Sequence, residues 1–578
     1  MRTLLSENQN IEFYIEGTRT RSGRPCSPRI GMLSLLIDCL NKNEIPDVLI
    51  VPTVLTYERV WEINELVSEQ LGKSKSSETL WSSIKGAFRL LRSFCGLIRV
   101  DFGEPFSLRE FVRQSQLMDV QSSTAVVTRN AFSPGINTDV KTTNSAQLLA
   151  QHVIFDCCRV SPITLTHTVA FLLLRIYRKG TTVKNLAKRL SELRREIICR
   201  GYEVAFFDDG EEDGLVDAVR FALKLIGTEC LEAESRDFSM AEYVRPHNDM
   251  RSYMTLSYFS ARLLIVYAAE AIIATSFVSS TKLSEFKVKD DKNMSSNDLP
   301  ELADTEYRMD KNVLLQRAEV LGRLLCKEFV LFPPCGSLLN ELESALGRLL
   351  QSEVLSYRDA PVRPFVNPDV VDPQESDNDD DYSDNDELGM YPGTSEDEHE
   401  DDPHVKVSVK NHQHKHPQLP QGPTIELNMM KEKAATHRLL ELHSYTLPFL
   451  ESMWATACNV ANFSEQPTLI QKEREFIQLC QKDLIDTLSD GNVTFEESTS
   501  LTSLANSVKC LEHFGFLKRC TVDRSMHLCI GKYLVDNSHT DMVEGLIEIL
   551  EYFRVVPNTD FPSQVSPYYS LIDHILTA

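Results

Sequence analysis

The chain has 578 residues, of which 60 are Lys or Arg, 84 are Asp or Glu and 42% are apolar. This length suits about three or four domains, and the composition is that of a soluble globular protein rather than a disordered or fibrous one. The net charge of −24 disfavours nucleic acid as a partner.

The charge imbalance is concentrated in one segment. Residues 369–402 hold sixteen Asp and Glu and no Lys or Arg, whereas residues 1–115 hold fourteen acids and fifteen Lys and Arg. The N-terminal part is therefore close to neutral and does not repel an anionic ligand. The fourteen cysteines include no Cys-x-x-Cys pair and no Cys/His grouping with zinc spacing. We expect buried thiols in a reducing compartment, without a metal or cofactor.

Residues 1–115 alternate short apolar runs with helical spacing, which is the order of an α/β domain with a mixed sheet and flanking helices. Met1–Asn10 is predicted to be the C-terminal end of a helix. The next elements are a strand at Ile11–Ile15, a helix around Ile30–Leu40, a strand at Val48–Leu55, a helix at Thr79–Phe94 and a strand at Leu97–Phe102.

A large, mainly α-helical region follows. The apolar residues of 116–143 show no regular spacing, so this segment is predicted to form a linker. Residues 144–360 are predicted to form a mainly helical domain. The predicted helices are Ala146–Cys158, Ile163–Tyr177, Val183–Ile198, Leu215–Ile226, Leu256–Val278 and Val313–Phe329. Residues 425–578 are predicted to be a further helical segment, with a small β-ribbon within Cys510–Leu534.

Two apolar runs, Ser161–Leu174 and Leu263–Val278, are shorter than the roughly 20 residues of a membrane span. Their length favours buried core helices, with insertion into or onto a membrane as the alternative.

Residues 361–424 are predicted to be a disordered acidic linker, because like charges repel and little apolar surface is present. Ser376, Ser383 and Ser395 each precede an acid by three residues, which makes them candidate phosphorylation sites, although a plain solvated spacer explains them as well. His412, His414 and His416 alternate within this linker and are not assigned as a metal site.

The residues with the clearest chemistry lie in the turn that follows Ile11–Ile15. Gly17 and Gly23 permit a tight backbone path. Arg19, Arg21 and Arg24 supply guanidinium groups that can bind phosphate oxygens in pairs. Glu16 is placed to fix the turn. Alone, this pattern also fits an ordinary surface turn with solvated arginines.

Further segments follow this turn in a fixed order. They are Ile45–Val60, with a buried strand that ends in Tyr57-Glu58-Arg59, then Glu69-Gln70-Leu71-Gly72-Lys73, and finally Arg99–Leu108. Together these segments resemble the glycerol-3-phosphate acyltransferases, specifically the large mitochondrial type, with the dihydroxyacetone-phosphate acyltransferases as nearest relatives. The resemblance covers nearly the whole chain.

The resemblance assigns roles to individual residues. The family's third motif block, Glu-Gly-x-Arg-Ser-Arg-x-Gly-Lys, matches Glu16–Arg24, with Thr20 in place of the serine and Arg24 in place of the lysine. The fourth block matches the strand through Val51-Pro52 to Tyr57. By resemblance, the candidate substrate-binding residues are Glu16, Gly17, Arg19, Arg21, Gly23, Arg24, Pro52 and Tyr57.

The family's first block, His-x-x-x-x-Asp, supplies a general base and is expected before the third block. None of the fourteen histidines here has an aspartate five positions later, and the second block is also missing. The nearest arrangement, His152 with Asp156, is interpreted as a helical core pair. We expect an N-terminally truncated chain with no catalytic residue; the alternative is a genuine short product that has lost catalysis.

The resemblance implies acyl transfer from acyl-CoA to the sn-1 hydroxyl of glycerol 3-phosphate, giving lysophosphatidate. It also implies a membrane surface as partner and the mitochondrial outer membrane as location. Dihydroxyacetone phosphate as acceptor remains an alternative, as does a non-catalytic regulatory or scaffolding remnant of the family. Because the base is missing, we expect the chain alone to have little or no activity.

Overall fold

A computed structural model of the chain describes residues 2–73, 95–122, 140–206, 212–235, 238–281, 283, 307–358, 423–464, 470–536, 539–555, 561 and 569–578. The described α-helices are α1 Arg2–Ser6, α2 Gly31–Asn41, α3 Ile63–Gln70, α4 Leu108–Ser122, α5 Val140–Val160, α6 Leu165–Phe171, α7 Val183–Cys199, α8 Glu212–Ile226, α9 Met250–Ser280, α10 Lys311–Leu324, α11 Leu338–Gln351, α12 Glu432–Ser464, α13 Glu473–Ser489, α14 Leu501–His513, α15 Lys532–Asp536, α16 His539–Phe553 and α17 Tyr569–Thr577. The described strands are β1 Leu49–Ile50, β2 Thr53–Tyr57, β3 Ile98–Phe102, β4 Phe106–Ser107, β5 Thr181–Thr182, β6 Leu231–Ala233, β7 Tyr243–Pro246, β8 Arg308–Asp310, β9 Leu355–Tyr357, β10 Thr424–Leu427, β11 Gln471–Lys472, β12 Leu517–Val522 and β13 Ser525–Ile530.

A small hydrophobic core holds the N-terminal elements together. The buried face of α2 carries Leu33, Leu36, Ile37 and Leu40, which recur at helical spacing and pack against apolar side chains of α4 and α5. The predicted helix around Ile30–Leu40 is therefore confirmed, as is the short helix near the start of the chain.

The strands near this core form two antiparallel pairs, β1 with β4 and β2 with β3. The predicted strand Val48–Leu55 is divided into β1 and β2, because Pro52 between them has no N–H to donate to a ladder. The predicted strand Leu97–Phe102 is confirmed as β3. The mixed sheet expected for this region remains a prediction.

Residues 11–15 do not form a strand, so that element prediction is wrong. Phe13 and Ile15 do turn toward the small core, as the alternation predicts. However, a strand requires a neighbouring ladder, and the Ile15 carbonyl instead accepts a hydrogen bond from the Arg29 N–H at 2.8 Å.

The predicted linker at 116–143 is shorter than expected. α4 continues to Ser122 and α5 begins at Val140, so helical hydrogen bonding extends into both ends of that segment. The predicted helix Thr79–Phe94 lies outside the described residues, as do the acidic segment with Ser376, Ser383 and Ser395 and the three histidines at 412, 414 and 416.

Most of the helices surround a second, much larger core, in which α9 and α12 are the central elements. The helices predicted at 146–158, 183–198, 215–226 and 256–278 are found as α5, α7, α8 and α9. The one predicted at 313–329 ends earlier, with α10 at Leu324. The helix predicted at 163–177 is divided into α6 and a π-helical turn, Leu172–Ile176.

Side chains on nearly every face of α9 are buried, as expected for a helix at the centre of a hydrophobic core. Its Asp249 cap accepts a hydrogen bond from the Ser252 N–H at 2.9 Å. Glu270 forms ion pairs with Arg200 at 2.8 Å and with Arg348 at 2.9 Å. Among the described helices, α9 is long and apolar enough to cross a membrane, yet 89% of its most apolar stretch is buried inside the protein. This burial favours the core-helix interpretation.

Residues on both sides of the acidic segment belong to one compact unit. β10 begins at Thr424, inside the predicted linker, and pairs with both β8 and β9. Residues 144–358 and 425–578 therefore share a small sheet as well as the large core. The predicted β-ribbon is confirmed as the hairpin of β12 and β13, which β11 extends to three strands.

Candidate functional site

The turn between Glu16 and Pro25 has the tight backbone path that its glycines predict. Gly17 has φ of +68° and Gly23 of +75°. A Cβ on Gly23 would come within 2.2 Å of the backbone oxygen of Tyr258 on α9. Only glycine fits this close approach, so the turn is packed directly onto the central helix.

Arg19 and Arg21 lie on the exposed side of the turn. The side chain of Arg19 is 70% exposed and forms an ion pair with Glu62, and that of Arg21 is 55% exposed and contacts Glu69 of α3 at 2.5 Å. Ion pairs this exposed contribute about 0–1 kcal/mol. A phosphate can therefore recruit either guanidinium at little cost.

Arg24 has a different environment from the other two arginines. Its side chain is only 4% exposed, and its Nη2 lies 2.7 Å from Oε2 of the equally buried Glu328. The same Nη2 donates to Ser503 Oγ at 3.0 Å, and the guanidinium lies over the Phe449 ring at 4.6 Å. Arg24 thus connects the turn to the helical core, and the phosphate role stated above remains a prediction.

Glu16 and Cys26 lie together at the base of the turn. Burial raises the pKa of the Glu16 carboxyl, and the backbone and side chain of Cys26 partly oppose this rise. Burial and the nearby Glu16 raise the pKa of the Cys26 thiol. The Glu16 carboxyl therefore contacts Cys26, where the chain leaves the turn. Such a contact is what its predicted role of fixing the turn requires.

The side chains of Arg19 and Arg21 line a cleft of about 570 Å³, which lies between the turn, the end of α3 and the helices α13 and α14. The residues that line this basic cleft are Thr18, Arg19, Arg21, Cys26, Glu69, Gln70, Gly72, Lys73, Lys472, Glu473, Arg474, Ile477, Gln478, Leu501, Thr502, Ala505, Asn506, Lys509, Ser525 and Met526. Six of them are Lys or Arg and two are Glu, so the cleft favours an anionic ligand.

The segment Glu69–Lys73 is fixed against the C-terminal helices through Gln70. Its buried side-chain oxygen accepts from Ser500 Oγ at 2.8 Å and from the Thr502 N–H at 3.0 Å, and its Nε2 donates to Thr502 Oγ1 at 2.6 Å. Gly72 adopts φ of +95° beside Gln481. These contacts place Lys73 at the mouth of the basic cleft.

Pro52 and Tyr57 do not occur among the described residues that line the cleft. Pro52 is buried, and its carbonyl accepts from the Gly103 N–H at 2.7 Å. Tyr57 ends β2 with 41% of its surface exposed. These two predicted residues are therefore not part of the basic cleft, and their binding roles stay predictions.

The pair His152 and Asp156 is confirmed as a helical contact. Nε2 of His152 lies 3.4 Å from Oδ2 of Asp156, one turn further along α5. The imidazole packs against the rings of Phe106 and Phe111, with centroid distances of 5.0 and 5.4 Å. Burial raises the pKa of Asp156, and the nearby histidine opposes this rise.

The fourteen cysteines are all free. Cys39, Cys158, Cys230, Cys480 and Cys510 are buried, as expected, whereas Cys199 and Cys335 are exposed.

The C-terminal wall of the cleft was not found from the sequence. Lys472, Arg474 and Lys509 lie more than 400 residues after the turn, and no local pattern connects them to it. Lys472 caps α13 and Arg474 lies in its first turn, but Glu473 and Glu475 share that turn and Lys472 pairs with Glu475 at 2.9 Å. The acids complement the helix dipole, so the local sequence gives no signal of a ligand site.

Comparison with known proteins shows the family of the chain. Residues 67–392, more than half of the chain, match the model of the glycerol-3-phosphate acyltransferase C-terminal region. The chain belongs to the glycerol-3-phosphate acyltransferase family. The resemblance inferred from the motif blocks is thereby confirmed.

Two mammalian relatives cover most of this chain. The chain is 27% identical to "Glycerol-3-phosphate acyltransferase 1, mitochondrial" of Sus scrofa and 28% identical to that of Homo sapiens, each over 89% of this chain. A bacterial glycerol-3-phosphate acyltransferase of Ectopseudomonas mendocina is 26% identical over 50% of the chain and 32% of its own length. The chain spans 59% of the length of the two mammalian proteins.

Proposed function

We propose that this chain forms the phosphate-binding part of an enzyme that transfers an acyl group from acyl-CoA to the sn-1 hydroxyl of glycerol 3-phosphate, giving lysophosphatidate. The observation that carries the proposal is the position of Arg19 and Arg21. Both guanidinium groups lie in the family's third motif block and open into the basic cleft.

The charge of the cleft supports binding of an anion such as a phosphate rather than of a neutral ligand. The guanidinium groups of Arg19 and Arg21 each offer paired N–H donors that suit phosphate oxygens. Lys73 lies at the same cleft, and among the described residues it forms no ion pair that would hold it elsewhere. Apolar side chains of Leu501 and Ile477 line the remaining wall and suit the carbon part of a substrate.

The chemical step requires a base to take the proton of the acceptor hydroxyl as it attacks the thioester carbonyl. No histidine of this sequence has the family's spacing to an aspartate. The half-buried His152, on α5, packs against the rings of Phe106 and Phe111 and does not line the basic cleft. We therefore propose that these residues bind and orient substrate and that the proton transfer uses a group outside this sequence.

The proposal includes a mitochondrial location at the outer membrane, with a membrane surface as partner. The mitochondrial names of the mammalian relatives support the location. A membrane surface suits the chemistry, because the acyl donor and the product both carry long apolar chains.

The test is a calorimetric titration of the purified chain with glycerol 3-phosphate, dihydroxyacetone phosphate and glycerol, together with transfer of labelled palmitoyl from CoA. We expect saturable binding of the phosphate esters, no binding of glycerol, and transfer no greater than in a boiled control. Absence of phosphate-ester binding would refute the substrate proposal and favour a non-catalytic remnant. Transfer above the control would refute the statement that the base lies outside the sequence.

A further inference from the structure

The wall of the basic cleft opposite the arginine turn carries its own cations. Lys472 and Arg474 come from the start of α13, and Lys509 comes from the middle of α14. We call these three residues the C-terminal cation wall. The family's third block, which binds the acceptor phosphate by resemblance, contains none of them.

Lys509 is the most constrained member of this wall. It is half-buried, and its Nζ donates to Asn506 Oδ1 at 3.2 Å. Burial and the nearby Arg519 lower the pKa of its ammonium group, whereas Cys26, Glu328 and Glu473 raise it. Among the described residues, no carboxylate lies within ion-pair distance of Lys509. An anion in the cleft would supply the missing partner.

The acids of the cleft are already engaged. Glu69 contacts Arg21 at 2.5 Å, and Glu473 contacts Arg519 at 2.6 Å. Arg474 is exposed at the cleft and forms no ion pair within the described part of the chain. Lys472 forms an exposed ion pair with Glu475 at 2.9 Å, so the uncompensated positive charge of the C-terminal cation wall comes from Arg474 and Lys509.

The cleft is larger than a single phosphate ester requires. Its volume of about 570 Å³ lies within the range of about 300–1,000 Å³ for small-molecule and cofactor sites, and a three-carbon phosphate ester fills only a small part of it. Leu501, Ala505, Ile477 and Met526 add apolar surface next to the cations. Such a surface suits a purine ring attached to several phosphates.

We propose that the C-terminal cation wall binds the phosphate groups at the nucleotide end of the CoA co-substrate, while the arginine turn binds the phosphate of the acceptor. CoA carries a 3′-phosphate and a 5′-diphosphate on one adenosine, so it can contact several cations at once. This inference rests on the proposed function, from which it takes the identity of the co-substrate.

The test measures binding of CoA, 3′-dephospho-CoA, adenosine 3′,5′-bisphosphate, glycerol 3-phosphate and inorganic phosphate to the purified chain. The variants are Arg474→Ala, Lys509→Met and, as a conservative exchange, Lys509→Arg. Lys482→Ala is the matched control, because Lys482 is exposed on the same helix α13 but does not line the cleft. Melting curves of every variant establish that it is folded.

We expect Arg474→Ala and Lys509→Met each to weaken CoA and adenosine 3′,5′-bisphosphate binding about tenfold, as loss of a charged hydrogen bond predicts. The affinity for glycerol 3-phosphate should change less than about threefold, and Lys509→Arg should retain CoA binding. Unchanged CoA affinity in both Arg474→Ala and Lys509→Met would overturn the inference. So would inorganic phosphate binding as tightly as CoA.

The two proposals fail in different ways. If CoA binds through the C-terminal cation wall but glycerol 3-phosphate does not bind, the acceptor proposal is refuted and the CoA site is supported. If glycerol 3-phosphate binds and CoA does not, the CoA site is refuted and the acceptor proposal stands.

Discussion

Replacing Arg24 by Met tests whether this residue connects the arginine turn to the helical core. The change keeps the apolar volume but leaves the Glu328 carboxylate, whose side chain is 6% exposed, without its partner at 2.7 Å. Breaking a buried pair in this way costs about 3–5 kcal/mol. Because Lys509 still attracts Glu328, we expect about 3 kcal/mol.

The double variant Arg24→Met/Glu328→Gln provides the control. Removing both charges removes the uncompensated carboxylate, so most of the lost stability should return. Urea unfolding at pH 7, followed by circular dichroism, measures both variants. A single variant within about 1 kcal/mol of wild type at pH 7 would refute the buried-pair account.

Two further changes test other buried polar groups. Burial raises the pKa of Glu451 from 4.5 to about 7, so the charged form is penalised in the folded state. Wild type should lose stability as pH rises from about 4.5 to about 7. Glu451→Gln should therefore be more stable by about 2–3 kcal/mol at pH 8 and nearly equal at pH 4, as melting curves would show. Gln70→Leu leaves the Thr502 N–H without its acceptor and should cost about 2–4 kcal/mol in urea unfolding; a loss below about 0.5 kcal/mol would contradict the role of Gln70.

Most helices could be predicted from the sequence because their apolar residues recur at helical spacing. α7 is an example, with Val183, Leu186, Leu190, Leu193 and Ile197 on its buried face. The β-ribbon of β12 and β13 could also be predicted, since it depends on local alternation and a tight turn. In each case the spacing of apolar residues within the element itself carries the prediction.

The element errors arise where structure depends on distant partners. Residues 11–15 alternate like a strand, but alternation describes only which side chains turn inward, and a ladder needs a neighbour. Likewise, α10 ends at Leu324 although buried apolar residues continue to Phe329, so the apolar pattern alone does not locate the end of the helix.

The candidate site was predicted in part. Arg19 and Arg21 were recognised from their motif, and the structure places both at the basic cleft. Nothing in the motif distinguishes them from Arg24, because burial beside Glu328 is a tertiary property. Lys509 could not be predicted either, since α14 reaches the cleft only through the packing of the helical core against α3.

The central claim is that Arg19 and Arg21 bind the phosphate of glycerol 3-phosphate. The most direct measurement is calorimetric titration of this ligand into wild type, Arg19→Ala/Arg21→Ala and the control Lys482→Ala. Both arginines are exposed, so the double variant should fold normally. We expect its affinity to fall at least about thirtyfold, with the control unchanged. Equal affinity of the double variant and wild type would contradict the account.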